Sequence, residues 1–399
     1  MKILFLSRWY PYPPDNGSKI RAFNLIKHLA SQHEIDLISF VGKSIKAARL
    51  TAMQAFCQQV NVAIYRPFQP SGLKATLGFL STKPRAIIDT YNRDLEQLVL
   101  QAKSQNRYDA IIAFELDMSS YALFFTNTVK ILEELEVTTQ YEQYMMQTQP
   151  LKKLRWRLMW WKKSNYINRL LRDFEGCTVV SEEEQKRIQE ISPTYQSIGV
   201  IPNGVDVAHY SGDFGPPKPN TLVYSGALSY HANFDAMQFF IGEILPLIQA
   251  ECPDVKLAIT GKRDPSLAKK LPKNEAVTFT GYLDDIRPTI AQSWISIVPL
   301  RLGGGTRLKI LEAMAAGTPV VSTSKGAEGL DLTPEHDILI ADETPAFAQA
   351  VLRILKNNDL RQKLSQNGHQ TTQAKYDWQI IGQQFTEFIE KILDKKRAQ

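Results

Sequence analysis

A chain of 399 residues, at roughly 150 per domain, has room for two or three domains and excludes a single small binding module. Its 44% hydrophobic and 22% charged residues, with 21 Gly and 21 Pro, exclude wholesale disorder. A net charge of +6, from 47 Lys and Arg against 41 Asp and Glu, suits an anionic small molecule, an acidic lipid surface or nucleic acid alike.

The apolar run 2–7 ends in a Pro/Asp/Asn/Gly loop. Ile20, Phe23, Leu25, Ile26 and Leu29 follow at helical spacing, then a second apolar run at 35–40. Helix 45–59, strand 61–65, helix 91–104 and apolar runs at 110–114 and 129–132 extend the alternation, which predicts a parallel sheet covered on both faces. The stretch 151–174 carries eight Lys and Arg against one Asp, with Trp156, Trp160 and Trp161 among them, and predicts one long helix over 151–172. Strand 177–180, helix 181–191 and the strand-loop GVIPNGVD come next.

The segment HYSGDFGPPKPN, 209–220, reads as a linker. A second series follows: strand 221–225, helix 233–250, strands 255–260 and 276–280, helix 284–292, strand 294–299, helix 306–316 and strand 318–322. Two helices, at about 345–357 and 378–395, close the chain. The predicted fold is α/β, with two doubly wound Rossmann-like domains, 1–208 plus 378–399 and 209–377, and an interdomain cleft at the carboxyl ends of the two sheets. Without an 18-residue apolar run or an export signal, a cytoplasmic protein is expected, peripheral to a membrane at most. Cys57, Cys177 and Cys252 stand far apart with no C-x-x-C, which fits a reducing compartment and removes a cysteine zinc site.

Chemistry concentrates in 294–323, WISIVPLRLGGGTRLKILEAMAAGTPVVST. A buried strand enters a loop with Gly303, Gly304 and Gly305, then a helix capped by Thr306 that carries Arg307, Lys309 and Glu312 in two turns. Bare glycines let backbone N–H groups approach an anion, and the helix start adds positive potential. Arg307 and Lys309 add full charges, and Glu312 can accept from sugar or ribose hydroxyls. A diphosphate attached to a sugar satisfies all of these groups.

This segment, with VIPNGVD (200–206), TVVSEEEQ (178–185), GALSYHANFDA (226–236) and PPDNGSKIRAFNLIKHLA near the start, resembles the retaining glycosyltransferase family 4. The resemblance implies a GT-B fold, a nucleoside-diphosphate-sugar held by the second domain, a glycan or lipid-linked acceptor held by the first, transfer with retention, and no metal. It implies that the helix from Trp378 crosses back to the first domain and that Glu312 serves the donor; Lys309 and Arg307, beside the glycine loop, are expected to join it in catalysis by neutralising the diphosphate. Glu312 matches the second glutamate of an E-x7-E motif; the first is replaced by Gly304. The basic residues usual after the first strand of the second domain are replaced by Ser229, Tyr230 and His231.

Donor contacts are expected from Gly17 and Ser18 at the first helix, Gly226 and Gly261 after two second-domain strands, Tyr282 and Leu283 near the base, and Gly304, Gly305, Thr306 and Glu312. Arg21 reads as a solvated or interdomain residue. Acceptor contacts are expected from Glu115 and Asp117. Leu135 stands where many relatives carry a histidine, so either Glu134 or Glu136 takes a polar role there or the alignment is shifted. No D-x-D motif or ligand-spaced histidine pair supports a metal, and no nucleic-acid module is recognised. The helix 151–172 reads either as a contact with an anionic membrane surface or as an ordinary packed helix. Two functions remain open: the transferase, and a binding protein or GT-B epimerase with altered catalytic residues.

Overall fold

The computed structural model describes residues 1–42, 47–262, 265–303 and 307–398. They form two compact units, Met1–Pro202 with Ile381–Gln399, and Asn203–Ile380.

The first unit is built on strands β1 Lys2–Ser7, β2 Glu34–Val41, β3 Gln59–Ile64, β4 Ala110–Phe114, β5 Val129–Glu133, β6 Gly176–Val179 and β7 Ile198–Val200. All pair in parallel in the order β3-β2-β1-β4-β5-β6-β7. Continuous apolar sequence produces this arrangement: every residue of β4 and β5 and all of β1 after Lys2 are buried, as helices on both faces require. The strand order reverses between β1 and β4, and the crevice outside their carboxyl ends is where open α/β sheets bind ligands.

Helix Gly17–Leu29 leaves that crevice, capped by the Asn16 carboxamide, which accepts from the Lys19 N–H at 3.2 Å. Helix Trp378–Arg397 closes the unit from the far end of the chain. Its Gly382 lies so near His28 that an added Cβ would stand 2.2 Å from the imidazole. Phe388 covers Gly176 and Gly199, and Lys396 pairs with Glu175 at 2.5 Å. The long basic helix runs Pro150–Leu170, with proline at its first turn, and passes into a short 3-10 turn, Leu171–Asp173. Helices Leu73–Leu77, Arg85–Thr90 and Thr138–Met145 went unread in the sequence, being short and irregular in pattern.

The second unit carries β8 Lys218–Ser225, β9 Lys256–Thr260, β10 Val277–Gly281, β11 Ser293–Val298, β12 Val320–Ser322 and β13 Leu339–Ile340. They are parallel in the order β10-β9-β8-β11-β12-β13. Residues 209–220 lie inside this unit, and the last three open β8. Between the two closing helices foreseen in the sequence stands a third, Asn358–Lys375, whose polar surface hides its apolar contact. Among the described residues no helix is long and apolar enough to cross a membrane.

Candidate functional site

In the second unit the site assembles where β8, β9 and β11 end. β8 terminates in Tyr224, Ser225 and Gly226. Lys309, on helix Leu308–Ala315, reaches that strand end and donates to Tyr224 Oη and to Asn233 Oδ1, both at 2.9 Å. Tyr224 Oη donates to the same Asn233 oxygen at 2.7 Å, and Asn233 Nδ2 donates to the Ala227 carbonyl at 2.9 Å. The ammonium also lies 4.1 Å from the Tyr224 ring centre. Gly226 makes the approach possible, because a Cβ there would sit 2.8 Å from Asn233 Nδ2 and 3.0 Å from Lys309 Nζ. Gly261, at φ +108, presses against the 226–227 backbone, which an added Cβ would meet at 2.8 Å.

Burial pushes the Lys309 pKa down to about 7, with Arg307 adding to the shift and Glu312 opposing it. Glu312 is raised by its own burial, against a hydrogen bond from Tyr210 and the charge of Lys309. The group is therefore a cation only partly charged at neutral pH, beside a carboxyl that Tyr210 holds in place. An incoming anion would restore the full charge.

Arg307 is buried and committed within the unit. It donates to the Gly303 carbonyl at 2.6 Å and the Lys325 carbonyl at 3.1 Å, and pairs with Glu328 at 3.5 Å. It occupies the capping position of helix Leu308–Ala315 without a side-chain cap bond. Gly304, Gly305 and Thr306, expected to form the phosphate loop and cap, lie outside the described residues. Tyr282 is 62% exposed, with Leu283 half-buried beside it. Tyr224, Asn233 and Tyr210 were missed from sequence, although Asn233 falls within the GALSYHANFDA block.

In the first unit a polar cluster gathers at the ends of β1, β4 and β5. Glu115 accepts from Trp9 Nε1 at 2.8 Å and Arg8 Nη1 at 3.4 Å, and also from Ser18. Arg8 pairs with Asp117 at 3.2 Å, donates to Tyr65 Oη at 2.9 Å and lies over the Trp9 ring at 4.8 Å. Ser18, expected on the donor side, and Glu115, expected on the acceptor side, thus meet in one cluster. Gly17 is the first, exposed residue of its helix. Burial raises Glu115 to about 7, opposed by Arg8 and reinforced by Asp117. Asp117 is raised by burial against the pull of Arg8.

Arg21 is not solvated: it is fully buried and ion-paired with Glu133, its Nε donating to Glu133 Oε1 at 2.8 Å and its Nη1 to the Pro202 carbonyl at 3.0 Å. A cationic side chain this enclosed must pair or be neutralised, and Glu133, one residue before the pair weighed from sequence, provides the partner. Glu134 is enclosed beside them, its Oε2 without a hydrogen-bond partner. Its pKa stands well above the usual range because of burial; Arg21 opposes, and Glu133, Glu115 and Glu136 reinforce. Glu136 is exposed and Leu135 buried. Glu115 and Glu134 adopt φ +66 and φ +56, left-handed values uncommon outside glycine, on strand ends joined by the Glu115 N–H to the Glu133 carbonyl at 2.9 Å. Such strain gathers at functional sites.

Residues 219–357 match the family model described as Glycosyl transferases group 1. The chain is 23% identical over 392 residues to an uncharacterized 44.6 kDa protein in the cps region of Klebsiella pneumoniae, covering 94% of this chain and 96% of that one. It is 23% identical over 238 residues to the GDP-mannose-dependent monoacylated alpha-(1-6)-phosphatidylinositol monomannoside mannosyltransferase of Corynebacterium glutamicum, covering 55% of this chain and 62% of that protein. The crystal structure of Anabaena Alr3699/HepE in complex with UDP is similar in fold, with a TM-score of 0.66 at 18% identity over 98% of this chain and 100% of that one. The fold is GT-B, and the family match and named relatives support a glycosyltransferase.

Proposed function

We propose that the protein is a retaining hexosyltransferase of family 4, moving a sugar from a nucleoside-diphosphate-sugar to an acceptor hydroxyl on a glycan or lipid-linked precursor. The observation that carries this reading is Lys309, held at the end of β8 by Tyr224 and Asn233. A diphosphate leaving group develops negative charge, and a pre-placed cation that gains its proton as that charge arrives stabilises it selectively. Backbone N–H groups in the first turn of helix Leu308–Ala315 add donors. The UDP in the Anabaena structure supports a nucleoside diphosphate as the donor part. No metal is needed on this reading, since Lys309 and the amides meet the charge, and the departing phosphate takes the acceptor proton. Glu115, Asp117 and Glu134 take the acceptor's hydroxyls.

The basic helix Pro150–Leu170 is the element we assign to an anionic membrane surface at the cytoplasmic face. The Corynebacterium relative, named for a phosphatidylinositol-based substrate, supports a lipid-linked acceptor. The test is nucleoside diphosphate release on mixing protein, a panel of nucleotide sugars and acceptor. Release dependent on acceptor supports transfer. Tight donor binding without release would favour the nucleotide-sugar-binding scaffold that Gly304, in place of the first motif glutamate, allows. Lys309→Ala should lower kcat/KM for the donor at least tenfold, about 1.4 kcal/mol; unchanged kinetics removes Lys309 from the mechanism.

A further inference from the structure

The basic helix presents an apolar stripe to solvent. Leu151, Leu154, Leu158 and Trp161, spaced i, i+3, i+7 and i+10, are 85%, 64%, 44% and 54% exposed, and that spacing puts them on one face. Lys152, Lys153, Arg155 and Arg157 are exposed around them. Lys162 is the opposite case: it turns inward and donates to the Phe79 carbonyl at 2.7 Å, fastening the helix to the segment 68–86. That segment exposes Leu73, Leu77, Phe79 and Leu80 as well. Exposed apolar side chains on two elements that adjoin through Phe79 and Leu158 mark an interaction site, and a flank of uncompensated cations fits an anionic lipid surface.

Between the helix and the segment lies a hollow of about 390 Å³, walled by Phe68, Phe79, Trp156, Leu158 and Met159, within the usual size range of small-molecule sites. Phe79 and Leu158 belong to both the hollow and the exposed patch, so the hollow opens onto that patch. The charged groups on its wall are Arg85, Arg155, Lys162, Lys163 and Glu136. Arg85 is used by the Ala75 and Pro70 carbonyls, Lys162 by Phe79, and Lys163 by the Glu136 carbonyl at 2.9 Å. Arg155 is exposed and has no hydrogen-bond or ion-pair partner among the described residues. An aromatic and aliphatic hollow beside an unengaged guanidinium has the chemistry to hold a hydrocarbon chain and the phosphate attached to it.

We propose that this hollow takes one hydrocarbon chain of an anionic phospholipid of the bilayer, with Arg155 at the phosphate. The site rests on the reading of the basic helix as a membrane element and extends it from surface attraction to capture of a single lipid.

Two measurements on the full chain test it. In the first, vesicles of phosphatidylcholine with phosphatidylglycerol brominated along its chains are added to Trp161→Phe and to Trp156→Phe/Trp161→Phe protein. Most of the tryptophan quenching should vanish with Trp156, while co-sedimentation with the vesicles stays the same. In the second, a short-chain phosphatidylglycerol below its micelle concentration is titrated calorimetrically. It should bind the wild type, and about tenfold more weakly after Arg155→Glu or after Ala86→Phe, which fills the hollow, provided the variants' circular dichroism matches the wild type. Co-sedimentation with quenching indifferent to Trp156 overturns the chain site and leaves the membrane helix standing. Failure of the short-chain lipid to bind the wild type also overturns it. Short-chain binding that is sensitive to Ala86→Phe, without co-sedimentation, supports the hollow and removes the membrane reading.

Discussion

On the proposed reading, Lys309 ties pH to donor binding. With its pKa near 7 in the free protein it is largely neutral at pH 8, and a bound diphosphate favours the ammonium form. Donor binding at pH 8 should therefore take up about one proton, and at pH 6 almost none, because the lysine is already charged. Calorimetry in buffers of different ionisation heat measures this, and Lys309→Met should abolish the difference. If Glu115 takes acceptor hydroxyls as proposed, it has its own signature. Raised to about 7 by burial, it gains its charge as pH rises through neutrality, so kcat/KM for the acceptor should climb over that range. Glu115→Gln should flatten the climb and lower the value, with donor affinity unchanged. Neither group's state was legible from sequence. Glu115 and Lys309 could be named by position after a strand and in a helix, but the shifts come from enclosure by Trp9, Tyr224 and Asn233, residues remote in the chain or silent in pattern.

Elements were more legible than residues. Continuous apolar runs such as 110–114 mark strands buried on both faces, and they fall where β1, β4 and β5 lie. Short elements escaped: Leu339–Ile340 has two residues, too few for a period, and Thr138–Met145 buries little besides Thr138. The Glu133–Arg21 pair escaped because a charged residue ending an apolar strand reads as a solvent cap. Glycine contacts make the element scale testable. Gly261→Ala forces a Cβ onto the 226–227 backbone at φ +108 and should cost about 1–3 kcal/mol, read as a lower urea midpoint together with weaker donor binding. Gly382→Val should drive helix Trp378–Arg397 off His28 and lower the midpoint with donor affinity preserved, since both contacts lie in the first unit.

Across the whole molecule the two-unit architecture was legible because two series of alternating strands and helices flank one proline-rich stretch. Where the boundary falls was not: the first unit ends at Pro202, in a loop that carries no break in composition. If the second unit holds the donor, UDP at about one hundred times its Kd should stabilise the protein by about 2.7 kcal/mol. Added hydrogen-exchange protection should concentrate at residues 226–233 and 308–312. Protection appearing instead around Glu115 would reverse the assignment. If the basic helix meets a membrane as proposed, vesicle attachment should weaken as ionic strength rises, because the exposed cations of Pro150–Leu170 act through solvent.

The return of helix Trp378–Arg397 has a consequence for biogenesis. As the polypeptide leaves the ribosome, Asn203–Ile380 emerges as one uninterrupted stretch and can condense as soon as it clears the exit tunnel. The larger unit, begun earlier, must wait with the glycine faces of β6 and β7 bare until Phe388 arrives. A stalled or prematurely terminated product would thus combine a finished second unit with an unsealed first one, a natural target for chaperones and proteases.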